Sequence, residues 1–326
     1  MCGYGLSTVR SVTQLTRRRF LAAVPGAATL AWAACSGRGG SGSPTAGADV
    51  SGVDAGAPEP GALAPVSTPP PSPTPMPTPA PLPRGTEVRQ LLAGTPHETP
   101  LYIHHSGTAG PAAMVLGGVH GNEPGGWLAG DEVATWMPGA GTLLVVPRAN
   151  VTALAAFVRT FEEIGDLNRL YPGDPDSPLM MERMAHAILE AAREFGATLL
   201  LDMHESWAFH AEHPPNSGTG ALGQTITAGV GPLQADFGPR LAGRVNPHVT
   251  PREQMIVRDG SRFARPGGTP APGQTSRGRS SLSAGGHVPG LTPVLVEMGQ
   301  TDQPLERRVE LHLLTARAAL ELIGML

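Results

Sequence analysis

Short apolar runs recur along the chain, each cut off by glycine, proline or a charged residue. Met114–Gly118, Thr142–Val146, Thr198–Met203 and Pro293–Val296 read as strands buried on both faces. Glu87–Leu92 and Pro100–His104 read as two further strands, joined by a Gly94-Thr95-Pro96 turn. Helical periodicity fills the intervals. It predicts helices over Pro124–Trp136, Pro178–Phe195, Gln234–Arg244 and Pro304–Ile323; in the second, Met181, Met184, Ile188 and Leu189 form an apolar stripe among charges. Strands that alternate with helices predict an α/β sandwich around a mostly parallel or mixed sheet. Residues 205–290 are rich in Gly and Pro and read as irregular, apart from the Gln234–Arg244 helix.

The pattern divides the chain into 1–35, 36–83 and 84–326. Thr16-Arg17-Arg18-Arg19-Phe20-Leu21 resembles a twin-arginine export motif, and an apolar stretch to Ala34 follows it. Small residues before Cys35 resemble a lipoprotein cleavage site, with a lipidated Cys35 as membrane anchor; plain cleavage near Ala34 is the alternative. Export to the periplasm or the extracellular face is therefore expected. Residues 36–83 carry no apolar face and become alternating proline, which predicts a disordered, extended polyproline stalk. The globular domain is expected from Arg84 onward.

Composition narrows the chemistry. The net charge is only −4, which gives no reason to expect a nucleic acid as partner. All 23 basic residues are Arg, so a Walker phosphate loop, a lysine Schiff base and a kinase-type lysine are excluded. Both cysteines, Cys2 and Cys35, precede the globular part, which leaves it no thiol nucleophile and no cysteine metal site. Metal chemistry here must use His, Asp and Glu.

Four segments carry such chemistry. Gly117-Gly118-Val119-His120-Gly121-Asn122-Glu123-Pro124 places an imidazole and a carboxylate on a tight exit from a strand, with Pro124 suited to open a helix. Leu201-Asp202-Met203-His204-Glu205 ends a second buried strand with another His. His120, Glu123 and His204 can thus form a three-ligand site for one zinc ion, which leaves a position for water. Asp202 or Glu205 can orient an imidazole. Asp166-Leu167-Asn168-Arg169 offers Asn168 and Arg169 as a grip for a substrate carboxylate. Pro293-Val294-Leu295-Val296-Glu297 ends an apolar strand in an acid, a candidate general base.

His-Gly-Asn-Glu at 120–123, Asp-Leu-Asn-Arg at 166–169 followed by Tyr-Pro-Gly in place of Phe-Pro-Gly, Asp-x-His at 202–204 and Val-Glu at 296–297 occur in this order. Together they resemble the zinc carboxypeptidase superfamily, and within it the succinylglutamate desuccinylase/aspartoacylase branch. The resemblance implies a three-layer α/β/α sandwich on a mixed, mostly parallel sheet. It implies one catalytic Zn2+ on His120, Glu123 and His204, with Glu297 as general base and proton shuttle. Asn168 and Arg169 would grip the substrate carboxylate. Arg159 is the nearest match to the arginine that polarises the scissile carbonyl, with Arg148 as fallback. The function so implied is hydrolysis of an amide or ester bond next to a free carboxylate in a small-molecule or peptide substrate. A deacylase of N-acyl amino acids is the leading form. A carboxypeptidase acting on peptides or cell-wall peptides is the alternative, and a lipoprotein that binds ligand or zinc without turnover is the other.

Overall fold

β1 (Arg84–Leu91) and β2 (Thr99–Ser106) pair antiparallel at one edge of the fold. β3 (Ala112–Leu116), β4 (Thr142–Val146), β5 (Ala197–Ser206) and β8 (Thr292–Gly299) make the parallel centre. β6 (Thr225–Ala228) runs antiparallel to β8, and β7 (Ile256–Asp259) pairs parallel to β6. The eight strands form one mixed sheet in the order β1-β2-β4-β3-β5-β8-β6-β7. The computed structural model of the chain describes residues 82–213, 218, 220–260 and 279–326. The export signal of 1–35, and the stalk up to residue 81, lie outside the described residues. Among the described residues, no helix is long and apolar enough to cross a membrane.

Side chains of the central strands alternate between two cores, as the pleat requires. Ala113, Val115, Leu199, Leu201, Met203, Val294, Val296 and Met298 join one core. It is covered by α1 (Pro124–Val133), α4 (Gln234–Val245) and α5 (Leu305–Leu322). Ala112, Met114, Leu116 and Leu200 face the other core, covered by α3 (Met180–Glu194). On α3, Met181, Met184, Ala185, Ile188 and Leu189 are buried, the i, i+3, i+4 stripe read from the sequence. Helices on both faces of a mixed sheet give the expected three-layer α/β/α sandwich. A short helix, α2 (Val151–Ala156), capped by Asn150, was not anticipated.

Three expectations need correction. Residues 205–290 are less irregular than expected: besides the anticipated helix α4 they supply β6 and β7, and so complete the far side of the sheet. Their strands are only four residues long, too short to show against the surrounding Gly and Pro. β5 and β8 run further than their apolar runs, through His204 to Ser206 and through Glu297 to Gly299. Polar side chains are tolerated there because they meet partners at the end of the sheet. α1 stops at Val133, short of Trp136.

Glycine closes the distance between helix α1 and the sheet. A Cβ on Gly126 would lie 2.4 Å from the Met203 carbonyl oxygen on β5. The strand exit has a second constraint. Gly118 adopts φ +67, and the carbonyls of Gly117 and Gly118 accept from Ala149 and Asn150 at 3.0 and 2.9 Å. The turn that carries His120 is thereby tied to the loop after β4.

Candidate metal centre

His120 and Glu123 reach the site from the β3–α1 turn; Glu123 is the residue before the helix and Pro124 its first residue. His204 comes from within β5, and all three side chains are buried. Glu123 bridges the two imidazoles. Its Oε1 lies 2.7 Å from His120 Nδ1 and its Oε2 lies 2.8 Å from His204 Nδ1. One nitrogen of each histidine and one carboxylate oxygen fall within 4.8 Å of one another. The Glu205 backbone N–H also donates to Glu123 Oε2, at 3.0 Å.

The far nitrogens of both rings are held by carboxylates. His204 Nε2 bonds Asp202 Oδ2 at 3.0 Å, and His120 Nε2 bonds Asp166 Oδ1 at 3.1 Å. A carboxylate at each Nε2 fixes the ring orientation and favours Nε2–H in a neutral imidazole, which would leave each Nδ1 to ligate a metal at the common centre. Two imidazoles and one carboxylate suit zinc and similar divalent ions. The residues present therefore fit the metal that the motifs imply.

Charge is concentrated here. Burial works against ionising Glu123, but His120 and His204 outweigh it and hold its carboxyl well below the usual range. Burial likewise opposes charge on His204, yet Asp202 and Glu123 raise its pKa well above that of a free imidazole. Asp166 resists ionisation by burial, and His120, Arg159 and Arg169 overcome this and lower it. Glu297 is the exception: burial pushes it up to about 8, with Glu123 and Asp202 adding to the shift and His204 and Arg159 opposing it. A carboxyl whose pKa is raised toward neutrality beside these histidines is suited to proton transfer.

Arg159 also converges on the centre. Its guanidinium lies 3.4 Å from Glu123 Oε1 and 3.3 Å from Asp166 Oδ2, while its side chain stays 43% exposed. It can therefore meet both the centre and an incoming molecule. The Arg159 carbonyl accepts from Gly121 N at 3.3 Å, which joins its loop to the His120 turn. Arg148, the fallback, is committed elsewhere. It pairs with Asp131 and stacks on Trp127 at 4.6 Å, and so braces α1. Asn168 is buried, with its Oδ1 accepting from Ser281 N at 2.9 Å. Arg169 donates to the Asn168 carbonyl at 2.7 Å and is half-buried beside Asp166.

Of the two acids after Leu201, only Asp202 orients an imidazole. Glu205 points to the opposite face of β5, because it is an odd number of residues from Asp202. There both its oxygens meet Arg308 of α5 at 2.7 Å, and it accepts from the Gly125 backbone at the start of α1. Sequence reasoning passed over the role of Asp166, although its position as a cap ahead of Leu-Asn-Arg was visible. Its Oδ1 accepts from Asn168 N as well as from His120. Arg308 left no signal among the other helical charges.

Residues 109–210 match the succinylglutamate desuccinylase/aspartoacylase catalytic domain. This segment is similar to that family. The match covers the His120, Glu123, Arg159, Asp166 and His204 positions and stops before Glu297. Among solved structures, the chain is similar to the product-bound cell shape determinant protein Csd4 from Helicobacter pylori, with 18% identity, a TM-score of 0.54, and coverage of 67% of this chain and 52% of that one. The mDAP-bound form of the same Helicobacter pylori protein, described as a D,L-carboxypeptidase, gives 18% identity, a TM-score of 0.52 and the same 67% and 52%. An aspartoacylase family protein from Mesorhizobium loti gives 18% identity, a TM-score of 0.52, and coverage of 76% and 72%. These likenesses show the fold. The chain spans about half the length of the Csd4 structures. No curated protein matches the chain by sequence.

Proposed function

We propose that the chain is an exported, zinc-dependent hydrolase that cleaves an amide bond next to a free carboxylate. One observation carries this reading: the Nδ1 atoms of His120 and His204 converge on Glu123 while acids hold both Nε2 atoms, and Glu297 stands in register beside His204 on the neighbouring strand. His120, Glu123 and His204 would hold the ion. When bound, zinc supplies a Lewis acid that acidifies water and polarises a carbonyl.

The protein's own groups do the remainder. Glu297, as carboxylate, accepts a proton from the attacking water. The water oxygen forms the new C–O bond, the C–N bond breaks, and Glu297 returns the proton to the leaving amine. Arg159 faces the negative charge that develops on the carbonyl oxygen. Arg169, with Asn168 shaping its loop, binds the substrate carboxylate. The family of residues 109–210 supports an N-acyl amino acid as substrate. The likeness to a D,L-carboxypeptidase bound to mDAP supports a second reading, in which the substrate is a cell-wall peptide. The twin-arginine-like segment, with or without lipidation at Cys35, supports action outside the cytoplasm.

The test is a metal assay of the purified full chain, followed by turnover of N-acyl amino acids beside D,L-linked peptides. Amide cleavage that disappears on chelation and returns with zinc is expected; the preferred panel decides between the two substrates. A protein that holds one zinc and turns over neither panel would overturn the hydrolase reading.

A further inference from the structure

Tyr171 is completely buried, in the core that also holds Leu116, Val119, Leu167 and Leu200. Its hydroxyl nonetheless has no hydrogen-bond partner among the described residues, and neither has Asp202 Oδ1. Asp202 uses only its other oxygen, Oδ2, on His204. The two unpaired atoms lie on one side of the sheet. Asp202 and His204 continue the face of β5 on which Leu200 packs, and Tyr171 belongs to that same core. They are also complementary. Burial keeps the phenol protonated, and the negative charge of Asp202 reaches it and adds to the effect. Tyr171 is thus a donor, and Asp202 Oδ1 an acceptor.

Two further features concern the same stretch of chain. The backbone of Tyr171 is fixed by Arg279: Tyr171 N donates to the Arg279 carbonyl at 3.0 Å, and Arg279 Nε donates to the Tyr171 carbonyl at 3.1 Å. The hydroxyls of Ser280 and Ser281, next along the chain, are also buried without partners among the described residues. Buried polar atoms of this kind are commonly satisfied by a shared internal water.

We propose that Tyr171 is a positioning residue for the metal centre: its hydroxyl donates, through one bound water, to Asp202 Oδ1, and so fixes the carboxylate that holds His204. The inference rests on His120, Glu123 and His204 being a metal site. The order of action runs from Tyr171 to Asp202, from Asp202 to the His204 ring, and from the ring to its Nδ1.

The experiment measures zinc affinity of the full chain by competition with a chromogenic chelator. Wild type, Tyr171→Phe, Asp202→Asn, the double variant and His120→Ala are compared. Asp202→Asn should weaken binding about 10–100-fold. Tyr171→Phe, which removes one oxygen and keeps the ring, should weaken it by a smaller factor, about three- to ten-fold, as a partner one step further out. The double variant should equal Asp202→Asn, because the hydroxyl then has no carboxylate to act on. Unchanged affinity in Tyr171→Phe, or losses that multiply fully in the double variant, would overturn the proposal. A purely structural role would lower the unfolding temperature of the metal-free protein and leave the two effects independent. If Asp202→Asn does not fold, Tyr171→Phe against wild type decides alone. If His120→Ala binds zinc like wild type, the metal-site reading itself has failed; if only Tyr171→Phe is silent, that reading stands and the role of Tyr171 falls.

Discussion

Glu297 stands beside His204 across the β5–β8 ladder, in register on neighbouring parallel strands. Paired positions on parallel strands send their side chains to the same face, so the sheet itself sets the acid next to the imidazole. Rigid strands are a precise support for such a pair. Glu297→Gln keeps the shape and removes the titratable proton. Turnover is expected to fall about 10²–10⁴-fold, with zinc still bound stoichiometrically. Equal loss of metal and activity would show that Glu297 acts as a ligand rather than as a base.

Gly126 brings helix α1 against β5. An added Cβ would meet the Met203 carbonyl at 2.4 Å, and a backbone atom in a central strand cannot yield. Gly126→Ala is expected to cost about 1–3 kcal/mol in urea unfolding. It should also weaken zinc binding, since Glu123 directly precedes α1 and His204 lies one residue beyond Met203. A variant with full stability and wild-type affinity would show that the two elements do not need this close approach.

Arg308 neutralises Glu205 beneath the centre, with Glu205 fully buried and Arg308 12% exposed. Burial raises the Glu205 pKa, and the arginine opposes this. Arg308→Met leaves the acid buried without its partner. A loss of about 3–5 kcal/mol is expected by chemical denaturation. Adding Glu205→Gln should recover part of it, by removing the uncompensated charge. If the second substitution deepens the loss, the bonds of Glu205 to Gly125 and Gln300 outweigh its charge.

His312 gives the stability of the protein an acid limit. It lies wholly buried on α5, where its ring meets no acidic side chain among the described residues and a backbone contact with His204 offsets little of the burial. Burial, and then the charge of His204, push its pKa down from 6.5 to about 3. Between these values the unfolded chain binds a proton that the folded chain refuses, so stability falls as pH drops from 6.5 towards 3. His312→Leu should flatten this limb and move the acid midpoint of the metal-free protein to lower pH. An unchanged midpoint would remove His312 from the acid response.

The α/β class, the central strands and the apolar stripe of α3 were legible because their signals are local: buried strands repeat apolar residues, and a helix buries every third or fourth one. The short β6 and β7 were not, since four residues flanked by Gly and Pro carry little periodic signal. The motifs at 120–123 and 202–204 also named, by residue type and spacing, the three side chains that the fold brings together. Their sequence left Asp202 and Glu205 equivalent, and it left Arg159 and Arg148 in competition. The fold separated each pair. The pleat turned Asp202 to His204 and Glu205 to Arg308, and packing brought Arg159 to Glu123 while Asp131 held Arg148. By itself the sequence determined which groups were available and which chemistries were excluded. The tertiary structure alone decided which side chains meet, because sheet register and helix packing join partners as far apart as Glu123 and Arg159, 36 positions, and Glu205 and Arg308, 103 positions.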